Sequence, residues 1–287
     1  MIWMCPHCAQ PLEAGEPGLL CVNGHRFDRA REGYVNLLPV QHKRSKNPGD
    51  NSEMVRGRRA LHQAQLYRPL AEALCDLVAT CRDVSTLLDI GCGEGYYDGM
   101  LSARLPGLSV YGVDIAKTAV RLAARDYRSQ HYAVARSRHL PVMTSSIDLA
   151  MCIFSPVNDS EVARAVRPNG YYLEVGPAAQ HLWELKTALY EQPREHPLLR
   201  RTIPGGALVQ EGECHYEKQL TQTELQAVVA ATPFAFRGHR EKREALREQS
   251  DFVITLGFSW RLFRLAALRD TVASGAVLDD ALESTDL

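Results

Sequence analysis

The chain has 287 residues, 45% of them hydrophobic, and a formal net charge of −1. That length suits one large or two modest domains with a sizeable core. No apolar run is long enough to span a bilayer, and the opening Met-Ile-Trp-Met-Cys lacks the basic and apolar blocks of a signal peptide, so no membrane partner is expected and the cytoplasm is the expected location. The neutral total hides an asymmetry. Residues 26–68 hold ten Lys/Arg against four Asp/Glu, a local charge of +6, which leaves −7 for the rest. A basic segment on an otherwise acidic chain suits a polyanionic partner, although a solvated helix face has the same composition.

In chain order, Cys5-Pro-His-Cys8 and Cys21-Val-Asn-Gly-His25 come first. Two ligands three positions apart fit a tight knuckle, and the second pair closes a tetrahedron from the far side of a short hairpin. Cys5, Cys8, Cys21 and His25 therefore predict a closed structural Zn²⁺ site with no open position for catalysis. His7 competes as a ligand, and a disulfide competes with the metal; the cytoplasmic expectation disfavours the disulfide. The flanking prolines and glycines suit a loop-rich ribbon over 1–35 that needs its metal to fold. The remaining cysteines, at 75, 81, 92, 152 and 214, are scattered among apolar neighbours and are expected to be reduced and buried.

A basic connector over 36–83 follows. Residues 33–40 read as a strand, and Asn47-Pro48-Gly49-Asp50 as a turn. Asp50 or Ser52 is expected to cap one helix over 52–82, with Glu53 in its first turn. Lys43, Arg44 and Lys46 with Arg56, Arg58 and Arg59 form a candidate phosphate-binding rim, and His42 a platform for a nucleic-acid base.

The organising stretch is Leu-Leu-Asp-Ile-Gly-Cys-Gly-Glu-Gly-Tyr-Tyr, starting at Leu87. Thr86–Ile90 predicts a buried strand, Gly91, Gly93 and Gly95 a tight turn that lets backbone approach a ligand, and 96–105 a helix whose N-terminus offers free N–H groups. The strand over 109–113 ends at Asp114, placed to hold ribose hydroxyls. The dinucleotide fingerprint would need a glycine where Tyr96 stands. The Gly-x-Gly-x-Gly spacing, with Asp89 at the strand end, instead resembles the first motif of class I S-adenosylmethionine (SAM) methyltransferases.

Beyond it the sequence predicts a helix over 116–127, strands over 132–134, Ile147–Ile153 and 171–175, a helix over 161–166, and a turn at Arg167-Pro168-Asn169-Gly170. Strands over 213–220 and 252–260 around a helix over 221–231 complete a seven-stranded, Rossmann-like sheet in a methyltransferase domain over 84–265. The acidic segment 266–287 is expected to be a mobile tail. Phe154 and Ser155, at the end of the fourth strand of that sheet, are candidates to stack and hydrogen-bond an acceptor base. Core packing is the competing role for Phe154.

The zinc knuckle, Glu-Gly-Tyr-Val-Asn-Leu-Leu-Pro-Val-Gln-His-Lys-Arg-Ser-Lys-Asn-Pro-Gly-Asp from Glu32, and the glycine motif stand in the same order in one family. The chain resembles the bacterial 23S ribosomal RNA guanine-N1 methyltransferases, over roughly residues 5–264. The resemblance implies methylation of a guanine in the helix 35 hairpin, with position 745 favoured over 748. It implies a ribbon that recognises RNA, and a homodimer. His181-Leu-Trp-Glu-Leu-Lys186 matches a family block, and the resemblance places His181 and Tyr67 near the methionine end of SAM, with Gly93 and Glu94 contacting the cofactor. Phe-Ser-Pro-Val from Phe154 departs from the family's Tyr-Ala-Pro-like stretch. Guanine N1 carries a proton, so the reaction needs an acceptor for it; Asp50 is the candidate. The competing functions are a small-molecule SAM methyltransferase with an accessory zinc ribbon and a non-catalytic RNA-binding protein that keeps the fold.

Overall fold

The computed structural model describes residues 1–39, 49–232 and 240–266. His42, Lys43, Arg44, Lys46 and the acidic tail beyond residue 266 lie outside the described residues.

Three short strands, β1 (Leu12–Gly15), β2 (Gly18–Cys21) and β3 (Arg26–Asp28), form the ribbon as an antiparallel sheet in the order β1-β2-β3. The larger sheet has eight strands: β4 (Val35–Asn36), β5 (Thr86–Ile90), β6 (Ser109–Asp114), β7 (His131–Val134), β8 (Ile147–Ile153), β9 (Val166–Pro177), β10 (Gly206–Leu220) and β11 (Phe252–Leu265). Their order is β10-β11-β9-β8-β5-β6-β7-β4. β4 to β9 pair in parallel, and β10 and β11 close the far edge antiparallel. The seven strands expected over 84–265 are β5 to β11, and β4, from before that domain, adds an eighth. β4 is two residues beside β7 rather than the eight expected over 33–40; the Leu37 N–H still donates to the Val134 carbonyl at 3.0 Å, where β7 itself ends. The expected turn at 167–170 lies within β9, with Asn169 at φ 63°.

The helix expected over 52–82 is two helices, α1 (Ser52–Gln63) and α2 (Arg68–Thr80). Gln65, at φ 57°, interrupts the backbone between them, and Pro69 opens the second. Asn51 caps α1, its side chain accepting from the Glu53 and Met54 N–H groups, where Asp50 or Ser52 was expected. Asp50 instead pairs with Arg58 at 2.6 Å. α3 (Tyr96–Arg104), α4 (Lys117–Asp126), α5 (Asp159–Ala165) and α7 (Gln222–Ala231) fall close to their expected places, whereas α6 (Trp183–Leu189) and α8 (Arg240–Arg247) were not delimited from sequence.

Alternating residues of β5 separate the two faces. Leu87 packs with α2, α3 and α6 through Leu74, Leu101 and Leu185. Leu88 and Ile90 pack with Val162 of α5 and with Ile2 and Trp3 of the ribbon end. Between β7 and β8 the described chain has no crossover helix. The ribbon end covers that place: Met4 donates its N–H to the Pro141 carbonyl at 2.8 Å, Met143 to that of Ile2 at 2.9 Å, and Trp3 meets Tyr111 edge-on at 5.3 Å. Among the described residues no helix is long and apolar enough to cross a membrane.

Candidate active site and metal centre

The knuckle comes together as its spacing predicts. The ligand atoms of Cys5, Cys8, Cys21 and His25 all lie within 4.8 Å of one another. Cys8 Sγ is 3.7 Å from Cys21 Sγ, and His25 Nδ1 is 3.6 Å from Cys5 Sγ and 3.3 Å from Cys21 Sγ. A tetrahedral Zn²⁺ with bonds of about 2.3 Å to sulfur sets ligand–ligand edges of about 3.8 Å, so the four atoms fit the ion. All eight cysteines are free, which removes the disulfide alternative. Cys75, Cys92 and Cys152 are buried as expected; Cys81 and Cys214 are half-buried. His7 is not one of the clustered ligands; its ring lies between those of His25, at 5.2 Å, and Phe27, at 5.8 Å.

At the C-terminal edge of the large sheet two cavities meet. One, of about 270 Å³, is lined by Tyr67, Asp89, Gly93, Glu94, Phe154 and His181 among others. The other, of about 540 Å³, is lined by Asp50, Asp114, Ser155 and the 135–139 segment after β7. Arg58, Gly91, Ile153 and Phe154 line both. The two adjoin at these four residues and together form a trough with Asp114 at one end and His181 at the other.

The glycine turn forms the floor of this trough. The Gly91 and Cys92 N–H groups donate to the Val113 carbonyl, and Gly93 N–H donates to Asp114 Oδ2 at 3.0 Å. Asp114 Oδ1 accepts from Ala116 N–H at 2.7 Å. Asp114 therefore fixes the turn as well as lining the larger cavity, a role the sequence did not show. Each of its oxygens keeps a lone pair for a hydroxyl. A Cβ at Gly91 would sit 2.2 Å from Ser155 Oγ, so Ser155 closes over the turn. Gly93, at φ 55°, faces open space within 4 Å, the cradle a ligand needs. Gly95, at φ 82°, is the N-cap of α3, and a Cβ there would meet Tyr132 and Tyr127.

Below the turn lies a buried acidic cluster. Asp89 and Asp98 are 2% and 0% exposed, and with Tyr132 they carry oxygen atoms that have no hydrogen-bond partner among the described residues. Burial, with Asp98 beside it, pushes the Asp89 carboxyl well above the usual range, and burial raises Asp98 to about 7. Asp98, one helical turn into the motif, was missed in the sequence. Glu94, in the wall of the trough, is held in a network: Oε1 meets His62 Nδ1 at 2.7 Å, and Oε2 meets Arg59 Nη1 at 3.2 Å. Arg59 also binds Asp126 at 2.7 Å. Arg58 and Arg59 are thus matched by acids of the same chain, while Arg56 is exposed.

The far end of the trough is aromatic. The Tyr67 hydroxyl lies 3.4 Å from His181 Nε2, and Gly257 N–H donates to His181 Nδ1 at 3.3 Å. Burial lowers His181 to about 3, so the imidazole is neutral. With Nδ1 accepting, Nε2 carries the proton. Phe154 is 40% exposed, with φ 54°, and stacks near His181 at 6.4 Å; it is not core. The block from His181 to Lys186 becomes physically clear here. Glu184 accepts from Thr255 N–H and Oγ1 at 2.7 Å each, tying α6 to β11. Buried Lys186 donates to the Arg194 carbonyl at 2.8 Å, tying α6 to the following loop.

Residues 3–46 match the family model described as RlmA, N-terminal, and residues 87–170 match one described as a methyltransferase domain. The chain is 33% identical to the 23S rRNA (guanine(748)-N(1))-methyltransferase of Streptomyces fradiae, over 85% of this chain and 88% of that one. It is 27% identical to the "Putative 23S rRNA (guanine-N(1)-)-methyltransferase YxjB" of Bacillus subtilis strain 168, over 89% and 94%. Among solved structures, the Bacillus subtilis YcgJ protein aligns at TM-score 0.47 and 18% identity over 68% of this chain and 98% of that one. With a zinc ribbon that fits its ion, a glycine turn opening on a trough, and that likeness to the Streptomyces protein along most of both chains, the protein belongs to the SAM-dependent 23S rRNA (guanine-N1)-methyltransferases.

Proposed function

We propose that the target is a guanine of the helix 35 hairpin in 23S rRNA, and that position 748 is the first to examine. The observation that carries the position is the likeness to the Streptomyces fradiae protein, whose name specifies 748. The sequence by itself favoured 745. Primer extension across helix 35 of rRNA modified by the purified protein tests both, because N1 methylation blocks base pairing and stops the polymerase. A stop at 745 alone overturns the choice of 748, and a stop at neither overturns the hairpin.

Within this proposal SAM, when bound, supplies an electrophilic methyl on a sulfonium sulfur. The chain's own residues bind, align and exclude water. Asp114 takes hydroxyl donors at one end of the trough. Asp89, Gly91, Gly93, Glu94 and Gly95 form the cofactor-binding turn, Gly93 by open space and Glu94 by anchoring α1 through His62 and Arg59. Tyr67 and His181 close the other end. Phe154, exposed at the end of β8, offers a face for a base turned out of its hairpin, as single-stranded RNA recognition requires. Ser155, held against Gly91, is placed under the cofactor as much as beside the base.

The phosphate-binding rim rests on Arg56 with Lys43, Arg44, Lys46 and His42; Arg58 and Arg59 serve the site through Asp50, Glu94 and Asp126. A steep fall of RNA affinity with salt is expected from it. The ribbon over 1–35, the connector over 36–83 and the catalytic domain over 84–265 act as one RNA-binding body in this proposal. The cytoplasm as location and a homodimer as assembly complete it, the latter checked by sedimentation.

A further inference from the structure

Methylation at guanine N1 leaves a proton to be removed, and none of the residues assigned above removes it. Asp50 lines the Asp114 end of the trough and is held by Arg58 at 2.6 Å. His181 is a donor, since Gly257 N–H occupies Nδ1 and Nε2 must carry the ring proton. His62 lies at the glycine-turn end, its ring 4.2 Å from that of Tyr96 and its Nδ1 on Glu94.

His196 remains. It sits in the loop after α6, and its ring lines the cavity shared with Tyr67, Phe154 and His181, 5.8 Å from the His181 ring. Its Nε2 is buried and has no hydrogen-bond partner among the described residues. A buried polar atom left without a partner needs a reason, and a ligand that completes it is one such reason. A neutral imidazole has one N–H and one nitrogen with a lone pair, and the unpartnered Nε2 is open to present that lone pair to the cavity. The ring is neutral, because burial and nearby Lys186 hold it down at about 4. The loop itself is fixed at two points: His196 N–H donates to the Ala179 carbonyl at 2.9 Å, and Lys186 Nζ donates to the Arg194 carbonyl at 2.8 Å.

We propose that His196 Nε2 accepts the N1 proton of the target guanine, with Lys186 as the positioning residue that holds its loop. The assignment rests on guanine-N1 methylation as the reaction. N1 forms a bond to the methyl carbon as the carbon–sulfur bond breaks, and its electron pair leaves with sulfur as a neutral thioether. The N1–H pair stays in the ring, the proton passes to Nε2, and water then takes it from the imidazolium. The N1 proton becomes strongly acidic as the new bond forms, so a weakly basic imidazole suffices.

The test is single-turnover methyl transfer from tritiated SAM to 23S rRNA by the full chain, for wild type, His196→Ala, His196→Gln and His62→Gln. His196→Ala is expected to lose about 10²–10⁴-fold in rate, with SAM affinity by calorimetry and RNA affinity within about threefold of wild type. Added imidazole is expected to restore at least about tenfold of that loss, because the vacated space readmits the ring. His196→Gln, which keeps the polar bulk, is expected to remain slow. A His196→Ala or His196→Gln rate within threefold of wild type overturns the proposal. So does a loss that imidazole leaves untouched while SAM affinity is intact, or imidazole rescue confined to His62→Gln. Primer extension on the wild-type product is read separately: absence of a stop refutes guanine-N1 methylation itself, and the assignment falls with it.

Discussion

The metal centre and the trough are built on opposite plans. The four zinc ligands lie within 21 residues of one chain segment, and two short turns bring them together. The trough takes residues from Gly49 to Thr232 and from the ends of several strands and helices. The first is a local structure whose chemistry is complete in itself. The second exists only when the sheet is assembled. Yet the two are coupled, because Ile2 and Trp3 beside the knuckle cover the sheet where a crossover helix would otherwise lie. The lesson is that a closed metal site with no catalytic part can still support the catalytic sheet.

Removing the metal strains that comparison most. Chelation, or Cys21→Ser, is expected to unfold the ribbon, since a structural Zn²⁺ site contributes about 10–16 kcal/mol of binding free energy to folding. Methyl transfer to 23S rRNA should fall below detection. Thermal unfolding with and without chelator reads the effect on the sheet, and an unchanged melting temperature would show the two regions to be independent. Trp3→Ala probes the same coupling without touching the metal. A large buried aromatic truncated in a core costs about 3–5 kcal/mol, so the unfolding free energy from urea titration should drop by that amount while zinc content stays at one per chain.

Asp114→Ala acts on the trough alone. It removes two backbone hydrogen bonds as well as the hydroxyl acceptor. Hydrogen bonds to a charged group are worth about 1.5–3 kcal/mol each, so SAM affinity by calorimetry should fall by about 100-fold, with zinc content unchanged. Asp114→Asn, which can still accept but carries no charge, should fall between the two.

The smallest effect is on pH dependence. Asp98 is raised to about 7 in the folded chain by burial, and so binds a proton that the unfolded chain has already released. Its contribution to stability is present below about 4 and is lost as pH rises through about 7. Asp98→Asn keeps the shape and removes the titration. The difference in melting temperature between pH 5 and pH 8 should shift toward higher stability at pH 8 in the variant relative to wild type. An identical pH profile in both would show that the buried carboxyl cluster does not store this cost.

Much of the fold can be read directly. Thr86–Ile90 and Ile147–Ile153 were expected with the bounds they have, because buried parallel strands are short unbroken apolar runs between turn residues. The break at Gln65 could not be read in the same way, since Leu61, Leu66 and Leu70 keep an apolar spacing that one continuous helix would also satisfy. β4 was shorter than its sequence suggested because pairing with an edge, not propensity, set its length. In the site, His62 could have been found: it lies four residues after Arg58, on the same helical face. His196 could not, because it stands in a Pro/Gly-rich connection whose path depends on Lys186.

The sequence by itself determined the zinc ligands, the glycine turn and the acid that follows it, since each is a short-range pattern whose geometry follows from a few backbone angles. The tertiary structure decided what those acids and imidazoles do. It turned Glu94 toward His62 and Arg59, gave Asp114 its hold on the turn, committed Asp50 to Arg58, and left one nitrogen of His196 without a partner among the described residues, beside the cavity. A side chain's partners are set by residues far away in the chain, and whether a nitrogen donates or accepts depends on which of them arrives first at its other face.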